Sequence, residues 1–161
     1  MKFDIRKART EDMGQVLQLI QELAAFEKEA NAVEVTVDDL VKDGFGSEQL
    51  FQCFVADTVN GVGGMALVYP RYSTWKGPVI HLEDLIVTEK MRGTGLGSAL
   101  LSAVVKYGSD LGVKRISWEV IDWNEPAIAF YEKKGARVMR DWDVVQLDEQ
   151  GMKAFLEHIE E

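Results

Sequence analysis

The protein has 161 residues, with 27 Asp and Glu against 18 Lys and Arg, a formal charge of −9. A chain of this size can bury about 70% of its unfolded surface as one domain without disulfide or metal, and residues 1–161 are expected to form a single domain. The composition excludes three classes. An acidic chain whose basic groups, Lys2-Arg6-Lys7-Arg9 and Lys133-Lys134-Arg137-Arg140, are diluted by acids is a poor nucleic-acid binder. One cysteine, Cys53, makes no internal disulfide, and its apolar run Phe51-Gln-Cys-Phe-Val-Ala56 reads as a buried structural thiol in a reducing compartment. No apolar stretch nears the roughly 20 residues of a membrane span, and the start lacks a signal-peptide core, so a cytoplasmic protein without a membrane partner is expected.

Phe3 to Ala8 alternates like a short strand. Thr10 reads as the N-cap of a first helix with acids in its first turn, and Met13, Val16, Leu17, Ile20, Leu23 and Ala24 recur at helical spacing. Thr36 is the expected N-cap of a shorter helix ending before Gly44. Two strands, Phe51 to Val59 and Val62 to Tyr69, flank Asn60-Gly61, a hairpin turn signal. Val79 to Val87 reads as another strand, followed by Arg92-Gly93-Thr94-Gly95-Leu96-Gly97 and a helix from Ser98 to Tyr107. Val113 to Ile121 is a further strand candidate. Asn124 is the expected N-cap of a helix carrying Pro126 in its first turn and stopping at Gly135. Short strands near Arg137 to Met139 and Asp143 to Leu147 precede a terminal helix from about Asp148. The order implies a mixed α/β fold with helices on both faces of one sheet.

The glycine-rich segment is the most informative. Glycines at alternate positions ahead of a helix expose backbone N–H groups, and the helix N-terminus adds partial positive charge, a geometry suited to a pyrophosphate near Arg92. The spacing fits neither the dinucleotide fingerprint nor a P-loop, since Gly97 is followed by Ser98-Ala99. Another kind of phosphate cradle remains, beside an ordinary strand-to-helix turn. His81 and His158 form no cluster with Cys53, so neither a metal site nor Cys-His catalysis is expected; His81 is expected to pack at a strand edge.

Arg92-Gly-x-Gly-x-Gly97, with Asn124-Glu-Pro-Ala and Phe130-Tyr131 about thirty residues later, resembles the GNAT superfamily of acetyl-CoA-dependent N-acetyltransferases. Leu19 to Glu27, Asp43-Gly-Phe45, Leu82-Glu-Asp84 and Trp123-Asn-Glu-Pro126 are similar to its diamine branch, the spermidine/spermine-type and thialysine-type enzymes. The resemblance implies a largely antiparallel GNAT-like sheet, with the pantetheine arm of acetyl-CoA along Leu85, Ile86 and Val87. It puts the pyrophosphate on Arg92, Gly93, Thr94, Gly95, Leu96, Gly97 and Ser98, and the pantetheine end against Asn124, Glu125, Pro126 and Ala127. It further implies Tyr131 as general acid, Glu83 as the acid assisting the amine, and Phe26, Glu27, Asp84, Trp75 and Trp142 beside the substrate. A homodimer, with exchange of the chain after Asp141, is the implied assembly.

The chemistry fits these residue types. Amine attack on a thioester ends in a thiolate, which a phenol can protonate. An alkylammonium keeps its proton to about pH 10, so a carboxylate must attract it and, directly or through water, take that proton. Glu83 and Asp84 alternate to opposite faces unless the strand bulges. Trp75 and Trp142 can flank an aliphatic amine by cation–π contact or simply pack. Phe26 stands where the branch has a tyrosine, Lys28 follows Glu27 where it has an acid, and Asn31-Ala32 replaces a polar or acidic stretch. These changes favour a short diamine or diamino acid over a long polycation. A peptide or protein N-acetyltransferase and a CoA-binding sensor without chemistry are the alternatives.

Overall fold

The computed structural model describes residues 1–159, so the last two residues of the expected 1–161 domain lie outside the described residues. It divides into two compact units, Met1–Glu119 and Val120–Glu161. The first unit is built on a five-stranded sheet: β1 (Phe3–Lys7), β2 (Gln52–Thr58), β3 (Gly61–Ser73), β4 (Gly77–Val87) and β5 (Ile116–Ser117), in the order 1-2-3-4-5. All neighbours are antiparallel except β4 and β5, which are parallel. Three helices accompany it: α1 (Met13–Phe26), α2 (Val37–Phe45) and α3 (Leu96–Asp110).

Strand alternation divides the apolar residues between two faces. Cys53, Val55, Met65, Leu67 and Ile86 form one core with Met13, Val16 and Leu19 of α1 and Leu40 of α2. The other face takes α3: the Phe54 and Tyr107 rings meet edge-on at 5.5 Å. A Cβ at Gly64 would stand 2.8 Å from the Ile86 carbonyl oxygen and 3.0 Å from Leu100, so the close approach of α3 requires glycine there. Helices on both faces were expected, and the first unit has them. Cys53 is buried, and burial pushes its thiol up to about 12, which leaves it inert.

Several boundaries differ from expectation. Thr10 does not cap α1; it opens a 3-10 turn, Thr10–Asp12, and its hydroxyl donates to Glu11. The Asp12 carboxylate instead accepts the Arg9 N–H at 2.7 Å and both terminal nitrogens of Arg6. Thr36 caps α2 as expected, accepting from the Asp39 N–H. That helix runs past Gly44, where glycine is set by packing: a Cβ would strike the Phe51 ring at 2.6 Å. The β2–β3 hairpin forms as expected, but its turn residues are Val59-Asn60, one residue earlier than read, and Gly61 with φ 96° opens β3 opposite Thr58. Of the strand expected from Val113 to Ile121 only Ile116–Ser117 pairs, opposite Ile80 and His81.

In the second unit α4 (Glu125–Lys133) follows Asn124, whose side chain accepts the Ala127 N–H, and the chain turns at Gly135 with φ 94°. The strands expected at 137–139 and 143–147 are absent among the described residues. Val144 and Val145 are 61% and 92% exposed, and an alternating segment with no ladder partner is not a strand. Helix α5 (Glu149–His158) begins after Asp148, which accepts the Gly151 N–H.

Candidate active site

Three of the acids singled out from the sequence come together at a defect in the sheet. Along β3 the residues Met65, Leu67 and Tyr69 lie on the α1 face, opposite Ile86, Asp84 and His81 of β4. The partner numbers pass from even to odd because the register shifts between Leu67, opposite Asp84, and Val68, opposite Leu82. Glu83 is the extra residue of a β-bulge. The bulge overrides the alternation that would separate the pair, and brings His81, Glu83 and Asp84 to one side of the sheet.

The two carboxylates have different surroundings. Glu83 is exposed, its side chain 52% accessible, and accepts a hydrogen bond from the Tyr69 hydroxyl at 3.1 Å. Asp84 is pushed up to about 6, chiefly by burial and then by the negative charges of Glu83 and Glu27. Partial burial also raises Glu27, just past the end of α1. A carboxyl held near neutrality inside an acidic cluster attracts an ammonium and can take its proton.

The elements expected to hold a cofactor continue from this point. Among the described residues β5 pairs with β4 only at Ile80 and His81, so Leu82 to Val87 have no strand partner on that side. The ladder ends two residues before the bulge, which bends β4. The resulting open edge, including Leu85, Ile86 and Val87, can accept an extended, amide-bearing chain. Gly93 and Gly95 have φ of 75° and 93°, with open space around each; conformation, not crowding, calls for glycine. Gly95 is the left-handed N-cap of α3, and no side chain caps that terminus, leaving N–H groups in the Leu96, Gly97 and Ser98 turn for an anion. The Thr94 hydroxyl donates to the Met91 carbonyl at 2.6 Å. Arg92 donates through Nε to the Val87 carbonyl and lies 5.4 Å from the centre of the Phe26 ring.

Other expected residues lie elsewhere. Trp75 is 80% exposed in the β3–β4 turn, and the six residue steps from Gly77 to Glu83 set that turn about 20 Å along β4 from Glu83. In the second unit Asn124, Glu125, Pro126 and Ala127 form the first turn of α4 and Tyr131 its last, partly buried with its ring 5.4 Å from Phe130. Trp142 is 66% exposed. Among the described residues no group of three or more His, Cys, Asp and Glu is arranged to hold a metal ion, and no helix is long and apolar enough to cross a membrane.

The model of the acetyltransferase (GNAT) family matches residues 16–136. The chain belongs to the GNAT family. Within it, this GNAT chain is 34% identical to the thialysine N-epsilon-acetyltransferase of Bos taurus over 92% of its own length and 94% of that protein's. It is 35% identical to the spermidine/spermine N(1)-acetyltransferase-like protein 1 of Homo sapiens, over 83% of this chain and 20% of that one. Among solved structures, an integron cassette protein from the mobile metagenome of V. cholerae superposes with a TM-score of 0.79 at 19% identity, covering 98% of this chain and 99% of that one; at that identity the likeness is one of fold.

Two features of this GNAT chain were missed in the sequence. His81 does not pack at a strand edge; it is buried between β3 and β5, opposite Tyr69 and Ser117. Its position inside an apolar strand was the available signal. Glu22 of α1 accepts the Glu89 N–H at 2.8 Å and the Thr88 hydroxyl at 3.0 Å, tying α1 to the segment that leads into the glycine turn. Nothing in the local pattern marks that contact, which joins residues 66 positions apart.

Proposed function

We propose that this N-acetyltransferase moves acetyl from acetyl-CoA to a primary amine of a short diamino acid or diamine, by direct attack and without a covalent enzyme intermediate. The observation that carries the reading is the bulge at Glu83, which sets Glu83 and the largely buried Asp84 side by side on one face of the sheet. Glu83 meets the ammonium, directly or through a water, and Asp84 with Glu27 completes the negative field. Asp84, raised toward the working pH, is suited to take the amine's proton, since transfer from an amine improves as the acceptor rises toward that pH. The open edge of β4 at Leu85 to Val87 supports a pantetheine arm there, and the uncapped start of α3 supports a pyrophosphate at Gly93 to Ser98. In the second unit, Asn124 to Ala127 are proposed to contact the arm and Tyr131 to protonate the departing thiolate. No residue has a metal-binding role in this chemistry.

A diamino acid is preferred to a long polyamine because the acids are few and concentrated. Lys28 directly follows Glu27, and Trp75 stands about 20 Å along β4, reachable only by an extended substrate. The thialysine enzyme's match over nearly the whole chain supports the same choice. Substrate roles for Phe26 and Trp142 are proposed for the far end of the amine, while Trp75 would meet only a longer one. We place the enzyme in the cytoplasm as a homodimer of single catalytic domains; the family match, running across Val120, supports the single domain.

Turnover of acetyl-CoA with a panel of thialysine, ornithine, lysine and spermidine tests the reading. CoA release with the diamino acids and a lower kcat/KM for spermidine is expected; no release with any amine removes the activity. Tyr131→Phe is expected to lower kcat about 10- to 1,000-fold, measured at saturating amine, and an unchanged kcat would retire its role.

A further inference from the structure

The bulge leaves a second set of polar groups around His81. Its ring is buried, 6% exposed, and tilted against Tyr69 with centroids 5.3 Å apart. Nδ1 lies 3.5 Å from Nη1 of Arg71 and 3.2 Å from the Ser117 hydroxyl; Nε2 lies 3.7 Å from Oε2 of Glu83. A guanidinium only donates, so Arg71 favours the tautomer whose Nδ1 lone pair faces it, and the Ser117 hydroxyl can donate to the same nitrogen. In the neutral ring the proton then sits on Nε2, the nitrogen turned to Glu83. Tyr69 donates to the same carboxylate oxygen, Oε2, at 3.1 Å. Tyr69 thus donates to Oε2 while Nε2 of His81 faces the same atom from 3.7 Å, and Oε1 is the oxygen with no partner among the described residues. A half-exposed glutamate on a bulge would otherwise sample several rotamers.

We propose that His81 is a positioning residue: with its tautomer set by Arg71, it and Tyr69 hold Oε2 of Glu83 so that Oε1 faces the amine. This rests on the acetyl-transfer reading and extends it to the groups behind the carboxylate. The 3.7 Å approach closes to a hydrogen bond by a small rotation of the exposed Glu83 side chain when substrate enters, as catalytic contacts tighten on binding. Burial is the main influence lowering the imidazole's affinity for a second proton, and Arg71 adds to it. Glu83 and Glu119 oppose them, and the phenol of Tyr69 and the hydroxyl of Ser117 complete the groups that face the ring. The net direction keeps His81 neutral near pH 7, the form in which the tautomer argument applies.

The test is a double-mutant cycle with Glu83, using acetyl-CoA and thialysine on the full chain and CoA release as the readout. His81→Phe is expected to lower kcat/KM for thialysine about 10-fold or more while leaving the KM for acetyl-CoA within twofold. His81→Gln, whose amide N–H can occupy the place of Nε2–H, is expected to recover most of that loss. In a Glu83→Gln background His81→Phe is expected to add less than a twofold loss, since residues acting through one another are not additive. Arg71→Met, at an exposed position, is expected to lower kcat/KM severalfold, and it decides the matter if His81→Phe fails to fold by circular dichroism. Wild-type rates in His81→Phe and Arg71→Met, equal losses in the Phe and Gln variants, or full additivity with Glu83→Gln would each overturn the role while leaving acetyl transfer in place. Absence of turnover by the wild-type protein would instead remove the acetyl-transfer reading, and this role with it.

Discussion

Asp12 and Asp84 are acids held largely out of water in the same unit, yet they behave in opposite ways. Asp12 takes both terminal nitrogens of Arg6, at 2.7 and 3.0 Å, and the Arg9 N–H. The Arg6 guanidinium holds its carboxyl below the usual range, against the smaller effect of burial. Arg6 also reaches Asp57 at 2.9 Å, so the set ties the start of α1 to β1 and β2. Among the described residues Asp84 has no cation to offset its burial, and its acidic neighbours add to the cost of ionising it. One site is paired and structural. The other has no ion-pair partner among the described residues, which fits its proposed role of receiving a substrate cation.

The contrast predicts opposite pH signs. Asp84 holds in the folded state a proton that the unfolded chain releases near pH 4, so its contribution to stability falls as pH rises from about 4 to about 6 and is flat above. A shift of this size is worth about 3 kcal/mol. Asp12 does the reverse: its stabilisation is present above its unfolded value and is lost as pH falls through its depressed folded one. The largest expected effect is therefore that of Asp84→Asn. Amine kcat/KM should drop about 100- to 10,000-fold, while the urea midpoint at pH 7.5 rises. Loss of activity together with loss of stability would make Asp84 a second Asp12. Next, Asp12→Asn should destabilise by about 1–3 kcal/mol, lowering Tm by several degrees for a chain of this length, with the KM for the amine unchanged. Smallest, Glu27→Gln should raise the amine KM about two- to fivefold. It should also move the acid limb of the kcat/KM profile to lower pH, because one of the charges raising Asp84 is gone; an unmoved limb would separate Glu27 from the cluster.

The fold was legible wherever local chemistry decides the outcome. The β2–β3 hairpin, the Thr36 and Asn124 caps, the glycine turn ahead of α3 and the buried Cys53 all follow from short-range rules, and all are present. The weaker readings were those that needed a distant partner. Thr10 lost the start of α1 to an Asp12 carboxylate drawn in by Arg6. The last two expected strands found no ladder among the described residues, and most of the strand expected from Val113 did not pair.

The same division runs through the site. Sequence alone marked Glu83 and Asp84 as the acids to consider and Arg92 to Ser98 as an anion cradle, because residue type and spacing carry those signals, whereas Glu27 rested on the family resemblance. Only the tertiary structure decided that Glu83 and Asp84 share a face, since alternation forbids it and the register shift against β3 restores it. It also decided which of the two is tuned: desolvation depends on what packs around a carboxyl, and neighbouring letters in a strand do not record that.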